Sequence, residues 1–179
     1  DSSGVFFIFA ERNSTHSFVR VRSSSDPSGQ TWGAASPPIL ATTRLVTSVS
    51  AARIQGRIAA IAATSGGVYY ARSLAPNGST WPSSSTQVTQ FGAELVELEY
   101  VQGNPAVCLL FLSSVNYIRA QDSAGAVWPT SMTVIDTGTP RLACNIAIVD
   151  SRPAISTLQR SSSNPSLYTL RYWRALDAT

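Results

Sequence analysis

A turn that ends in Gly-x-x-Trp recurs along this chain and limits its fold more than any other feature. Ser24–Trp32 reads S-S-D-P-S-G-Q-T-W, Ser73–Trp81 reads S-L-A-P-N-G-S-T-W and Ala120–Trp128 reads A-Q-D-S-A-G-A-V-W. In each copy a glycine (Gly29, Gly78, Gly125) precedes the tryptophan by three positions, and Trp32, Trp81 and Trp128 are spaced 49 and then 47 residues apart. A period of that size signals repeated supersecondary units that bury their apolar faces against one another. Each copy reads as a tight hairpin: a polar turn, a glycine able to take positive φ, and an indole returning to the core as an anchor.

Between the turns, apolar residues alternate or run in short bursts broken by Gly, Pro, Ser and Asn, which predicts many short strands and no long helix. The clearest unit places strands over Glu94–Val101, Ala106–Leu112, Val115–Ala120 and Ser131–Asp136. The unit before it gives Thr47–Ile54, Ile58–Ala63, Val68–Ser73 and Gln87–Phe91. The last gives Arg141–Val149, Ala154–Gln159 and Leu167–Arg174, and the first gives Gly4–Ala10, Phe18–Ser23 and Ile39–Thr42 without a leading strand. Four-stranded units at this spacing are the blades of a β-propeller. The expected fold is therefore all-β, a single propeller-like domain or part of one. Its blades lie near residues 1–45, 46–92, 93–139 and 140–179, with the first and last incomplete. The chain reads either as a piece of a longer propeller or as a unit completed head-to-tail by another copy, in a ring or filament.

The pattern S-x-D-x-x-G-x-T-W resembles the Asp box of sialidase-like β-propellers, in which the box forms the turn between the third and fourth strands of a blade. Ser24, Asp26, Gly29, Thr31 and Trp32 match it in full. The second copy keeps Gly78, Thr80 and Trp81 but has Ala75 in place of the Asp, and the third keeps Asp122, Gly125 and Trp128 but has Ala120 and Val127. The resemblance implies a structural role for these residues. It further implies that a sialidase would carry three Arg on the substrate carboxylate, a Tyr nucleophile with a Glu partner, and an Asp acid. No local motif places those groups in this sequence.

Charged residues make up only 13% against 44% hydrophobic, a balance that excludes disorder and leaves Ser, Thr, Asn and Gln to solvate the surface. The net charge of +3 comes from scattered Arg with no basic run, which argues against a nucleic-acid partner. No apolar run is long enough for a membrane span. The opening D-S-S-G shows no apolar leader, so any secretory signal is expected to have been removed. Sequons at Asn13 and Asn77 fall in predicted turns and fit an extracellular glycoprotein. Cys108 and Cys144 lie on strands of adjacent blades, where they are either a cross-blade disulfide or two buried thiols.

Chemistry is sparse. The single His16 sits beside a turn, and no phosphate loop, nucleophile elbow or Cys/His metal pattern occurs, so no cofactor or metal is expected. Glu94, Glu97 and Glu99 crowd one strand. Glu97 and Glu99 share a face about 7 Å apart, a spacing compatible with an inverting glycosidase pair or with two solvated carboxylates. An Arg recurs at the end of each third strand, at Arg22, Arg72, Arg119 and Arg174, the last three following Tyr70, Tyr117 and Tyr172. Each Tyr–Arg pair could bind a glycan, or the Arg could brace the neighbouring turn over a core Tyr. No catalytic residue is assigned. The sequence alone favours a non-catalytic extracellular module for glycan or protein recognition or assembly, with a self-assembling subunit and a fragment of a sialidase-like glycoside hydrolase as the alternatives.

Overall fold

Among the described residues the strand pattern resolves into fourteen strands in four antiparallel sheets. A computed structural model describes residues 5–24, 26–111, 113–138, 141–161, 163–164 and 166–176. The first sheet is the meander β1 (Phe6–Arg12), β2 (Ser17–Ser23) and β3 (Leu40–Thr42). The second is β4 (Val46–Ile54), β5 (Arg57–Thr64), β6 (Gly67–Arg72) and β7 (Thr86–Thr89). The third is β8 (Leu95–Val101), β9 (Asn104–Phe111), β10 (Ser114–Arg119) and β11 (Thr133–Thr137), and the fourth is β12 (Arg141–Val149), β13 (Arg152–Arg160) and β14 (Tyr168–Arg174). Gly4 and Leu112, expected at strand ends, lie outside the described residues.

Successive sheets pack through their leading strands, β4 against β8 and β8 against β12, while β1 of the first sheet meets β4. Period-two alternation sends neighbouring side chains of a middle strand to opposite neighbours. On β5, Ile58 and Ala60 enter a cluster with Val21 and Ile39 of the first sheet. Ala59, Ile61 and Ala63 enter a second cluster with Val96, Leu98, Val107 and Leu109 of the third. On β9 the other parity, Ala106, Cys108 and Leu110, meets Cys144, Ile146 and Ile155 of the fourth sheet. Both faces of the middle sheets are therefore core. Truncating a fully buried residue such as Leu109 to Ala costs about 2–5 kcal/mol.

The β4–β5, β8–β9 and β12–β13 hairpins close on two residues, Gln55-Gly56, Gln102-Gly103 and Asp150-Ser151. All six have positive φ, the backbone of the hairpin turn whose twist matches its strands. The Gly-x-x-Trp turns lie at the same end, after β2, β6 and β10. Asp26 Oδ2 accepts the Thr31 N–H at 2.6 Å and Oδ1 the Gln30 N–H at 3.2 Å, with the Ser28 hydroxyl also donating to Oδ1. Asp122 accepts from Ala124 N and Ala126 N on Oδ1, at 2.8 and 3.1 Å, and from Val127 N on Oδ2 at 2.6 Å. The second turn keeps its shape without an Asp: Gly78 N bonds the Ala75 carbonyl at 3.1 Å and Leu74 N bonds the Thr80 carbonyl at 2.8 Å.

The three tryptophans do not behave alike. Trp81 and Trp128 fold back so that each indole N–H donates to the carbonyl of the glycine three residues earlier, Gly78 at 2.8 Å and Gly125 at 2.9 Å. Both pack on interior clusters, and Trp128 stands edge-on to Tyr70 at 5.5 Å. Trp32, expected as a third anchor, is 37% exposed and stands edge-on to Phe7, which is itself exposed. The difference follows from position. Trp81 and Trp128 reach back into the sheet before their own, whereas among the described residues no sheet precedes the first.

Candidate active site on the leading strands

β8 lies between β4 and β12, so its side chains stand where three sheets converge. Val96 and Leu98 point into the core shared with the second sheet. The alternate positions Glu97 and Glu99 fall on the opposite face and are half-buried. Ser50 on β4 reaches this strand, donating its hydroxyl to Glu97 Oε2 at 3.0 Å while accepting the Leu98 N–H at 3.1 Å. Burial raises the Glu97 carboxyl above its ordinary value, and the Ser50 hydroxyl only partly offsets that. Glu99 accepts the Tyr100 N–H at 2.7 Å. Glu94 lies just outside the strand and is exposed, with its backbone tied to the Leu110 carbonyl.

Sequence reasoning missed two further groups. Ser50 gave no signal because its role depends on which strand lies across from it. Asp136, on β11, is buried and receives the Thr157 hydroxyl at 3.4 Å and Arg171 Nη1 at 3.3 Å, so it ties the third sheet to the fourth. Among the described residues no group of three or more His, Cys, Asp or Glu could hold a metal. His16 bonds Thr15 Oγ1 at 2.9 Å and stacks on Phe18 at 6.1 Å between centroids, away from the glutamates of β8.

The recurring arginines serve the turns. Arg72 Nη1 donates to Gln55 Oε1 and to the Ser123 carbonyl of the next Gly-x-x-Trp turn. Arg119 Nη1 donates to Gln102 Oε1 at 2.9 Å, and Arg174 pairs with Asp150 at 2.8 Å. Each therefore braces the first position of the two-residue hairpin beside it. Arg22 is exposed on β2. The tyrosines share no common role: Tyr70 is core at 2% exposure, Tyr117 is partly buried against the cluster between the third and fourth sheets, and Tyr172 is 59% exposed. Of the two readings of the series, these contacts are those of arginines that brace turns, at Arg72, Arg119 and Arg174.

A cleft of about 840 Å³ opens between the first two Gly-x-x-Trp turns, walled by Ser24, Asp26, Arg53, Pro76 and Asn77. It does not include Glu97 or Glu99, and its one carboxylate, Asp26, is spent on its own turn. Asn77 and Asn13 are both exposed in turns, where their side-chain oxygens accept backbone N–H groups two residues on. Cys108 and Cys144 are free, buried thiols that touch each other.

No known family model matches the sequence, and no curated protein does. Solved structures do match in three dimensions. Bacteroides ovatus xyloglucan PUL GH43B superposes with a TM-score of 0.57 at 12% identity, over 98% of this chain and 40% of its own. An α-L-arabinofuranosidase from Lactobacillus brevis gives 0.57 at 9%, over 93% and 68%. Trypanosoma rangeli sialidase gives 0.56 at 11%, over 90% and 28%. The fold is a β-propeller. The four sheets form part of one, and they span 40% of the first neighbour's length and 28% of the sialidase's. These neighbours overturn the expectation of a non-catalytic recognition or assembly module and of no enzyme. The three named neighbours are a GH43 protein, an α-L-arabinofuranosidase and a sialidase, and at 9–12% identity the likeness is one of fold. Among the described residues no helix is long and apolar enough to cross a membrane.

Proposed function

We propose that this chain is part of a propeller-type glycoside hydrolase, with Glu97 as general acid and Glu99 as the base that activates water. The single observation that carries the assignment is Glu97 itself: a half-buried carboxyl on a leading strand, held toward its protonated form by burial, in a fold shared with glycoside hydrolases. A protonated Glu97 donates its proton to the leaving-group oxygen as the glycosidic bond breaks. Ionised Glu99 removes a proton from the water that attacks the opposite face of the sugar. Two residues along a strand set the two Cα atoms about 7 Å apart, a spacing on the scale that inverting pairs use to leave room for that water. Arg72, Arg119 and Arg174 are bonded to hairpin side chains, which leaves these three unsuited to gripping a substrate carboxylate and supports a neutral sugar.

Turns built around Asp26 and Asp122 support a place among Asp-box repeats, and the two exposed sequons support a secreted glycoprotein. The test is hydrolysis by the whole chain of nitrophenyl arabinofuranosides, xylosides and galactosides, beside a fluorogenic sialoside, with the product anomer read by NMR. Turnover of a neutral glycoside with inversion supports the reading. Sialoside turnover alone, or a folded chain inert on all substrates, overturns it.

A further inference from the structure

We propose that Cys108 and Cys144 are a cross-link site that covalently staples the fourth sheet to the third. This inference does not depend on the chain's enzymatic role.

The chain has two cysteines, so an intrachain disulfide has one pairing. Cys108 is on β9, the second strand of its sheet, and Cys144 is on β12, the leading strand of the next. They are 0% and 3% exposed, belong to one apolar cluster, and lie within sulfur hydrogen-bonding contact. Sheets stacked face to face usually lie about 10 Å apart, too far for a disulfide, which needs Cα atoms roughly 4.4–6.8 Å apart. Here β9 and β12 approach to 8 Å or less between Cα atoms, and the small side chain of Ala106 lies in the same cluster as the two cysteines. Two residues that require this spacing thus stand where the sheets converge.

Among the described residues the fourth sheet has a neighbouring sheet on one side, the third. Its inner face meets the third sheet through β12 and β13, while Leu170 at 73% and Tyr172 at 59% exposure leave β14 largely in solvent. Among the described residues the fourth sheet is joined to the third by this cluster, by Asp136 with its partners, and by Gln102 Nε2 donating to the Ser151 carbonyl at 3.1 Å.

Bond formation removes one hydrogen from each sulfur. One thiolate attacks a small disulfide such as oxidised glutathione and expels a thiolate, and the second cysteine then displaces the remaining glutathione thiolate from the mixed disulfide. Two electrons pass to the oxidant, which leaves as two thiols. Contact with Cys144 and burial both push the Cys108 thiol well above its ordinary range, so exchange takes place while the chain folds, before the sheets close.

The test is to refold the whole chain with a reduced/oxidised glutathione mixture or with a phosphine reductant. The oxidised sample is expected to lose the mass of two hydrogens, resist alkylation after denaturation, and melt roughly 10 °C higher than the reduced one. Cys108→Ala and Cys144→Ala should each erase the difference between oxidised and reduced samples, whatever each variant does to absolute stability. Two alkylatable thiols, glutathione adducts, intermolecular dimers or equal melting temperatures after oxidation would each overturn the proposal.

Discussion

Ser50 Oγ lies 3.0 Å from Glu97 Oε2, so a hydroxyl of the second sheet holds a carboxyl of the third. The same oxygen accepts the Leu98 N–H, which fixes the distance between β4 and β8 at this point. Ser50→Ala removes both bonds. It should cost about 1–2 kcal/mol in chemical denaturation, because the buried amide loses its acceptor. It should also move the alkaline limb of the activity profile to higher pH, since Ser50 is the group that lowers the Glu97 value. An unmoved limb would separate Glu97 from the chemistry.

Glu97 has a stability signature of its own. Its folded value is raised, so the folded state holds the proton more tightly than the unfolded chain. That contribution is present below the ordinary Glu value of 4.5 and is lost as pH rises through the folded value. At neutral pH the ionised side chain is a cost. Glu97→Gln should therefore melt at the wild-type temperature or above it at pH 7, and gain nothing at pH 4. Comparing the two melts at both pH values checks the sign.

Asp122 has the opposite sign. Burial alone would raise it, but the N–H groups of Ala126, Val127 and Ala124 outweigh burial and hold it below 3.8. Its contribution is present above that value and is lost as pH falls through the folded value. Asp122→Ala should cost about 1 kcal/mol at pH 7, as the loss of a cap does, and much less in acid. Equal costs at both pH values would mean that the charge plays no part in the turn.

Gly125 has φ +75° and its absent Cβ would sit 2.4 Å from Tyr70 Cε1. Gly125→Ala meets both a left-handed backbone and a buried ring, so a loss of about 3 kcal/mol is expected by urea unfolding. Gly103, φ +86° with open space around it, should lose only about 1 kcal/mol on the same change.

Much of the fold was legible. The 49- and 47-residue spacing of the tryptophans located the sheets, and alternation located the strands to within a few residues, because period two is a property of the backbone. The fate of Trp32 was not, since its Gly-x-Thr-Trp ending matches that of Trp81 while, among the described residues, no sheet precedes the first. The candidate site was half legible. Glu97 and Glu99 were visible as a pair, but the burial that separates them from solvated carboxylates comes from β4 and β12, distant in sequence. The Arg72, Arg119 and Arg174 series was open to two readings, a repeated ligand site or a repeated brace. Its regularity follows the hairpins, each of which ends on the same bracing contact.

The most direct measurement is the turnover of neutral nitrophenyl glycosides by the wild-type chain beside folded Glu97→Gln. The account predicts hydrolysis by the wild type and a loss of at least 100-fold, roughly, in kcat for the variant, as expected when a general acid is removed. Equal rates for the two proteins, or no turnover by a wild type shown to be folded, would contradict it.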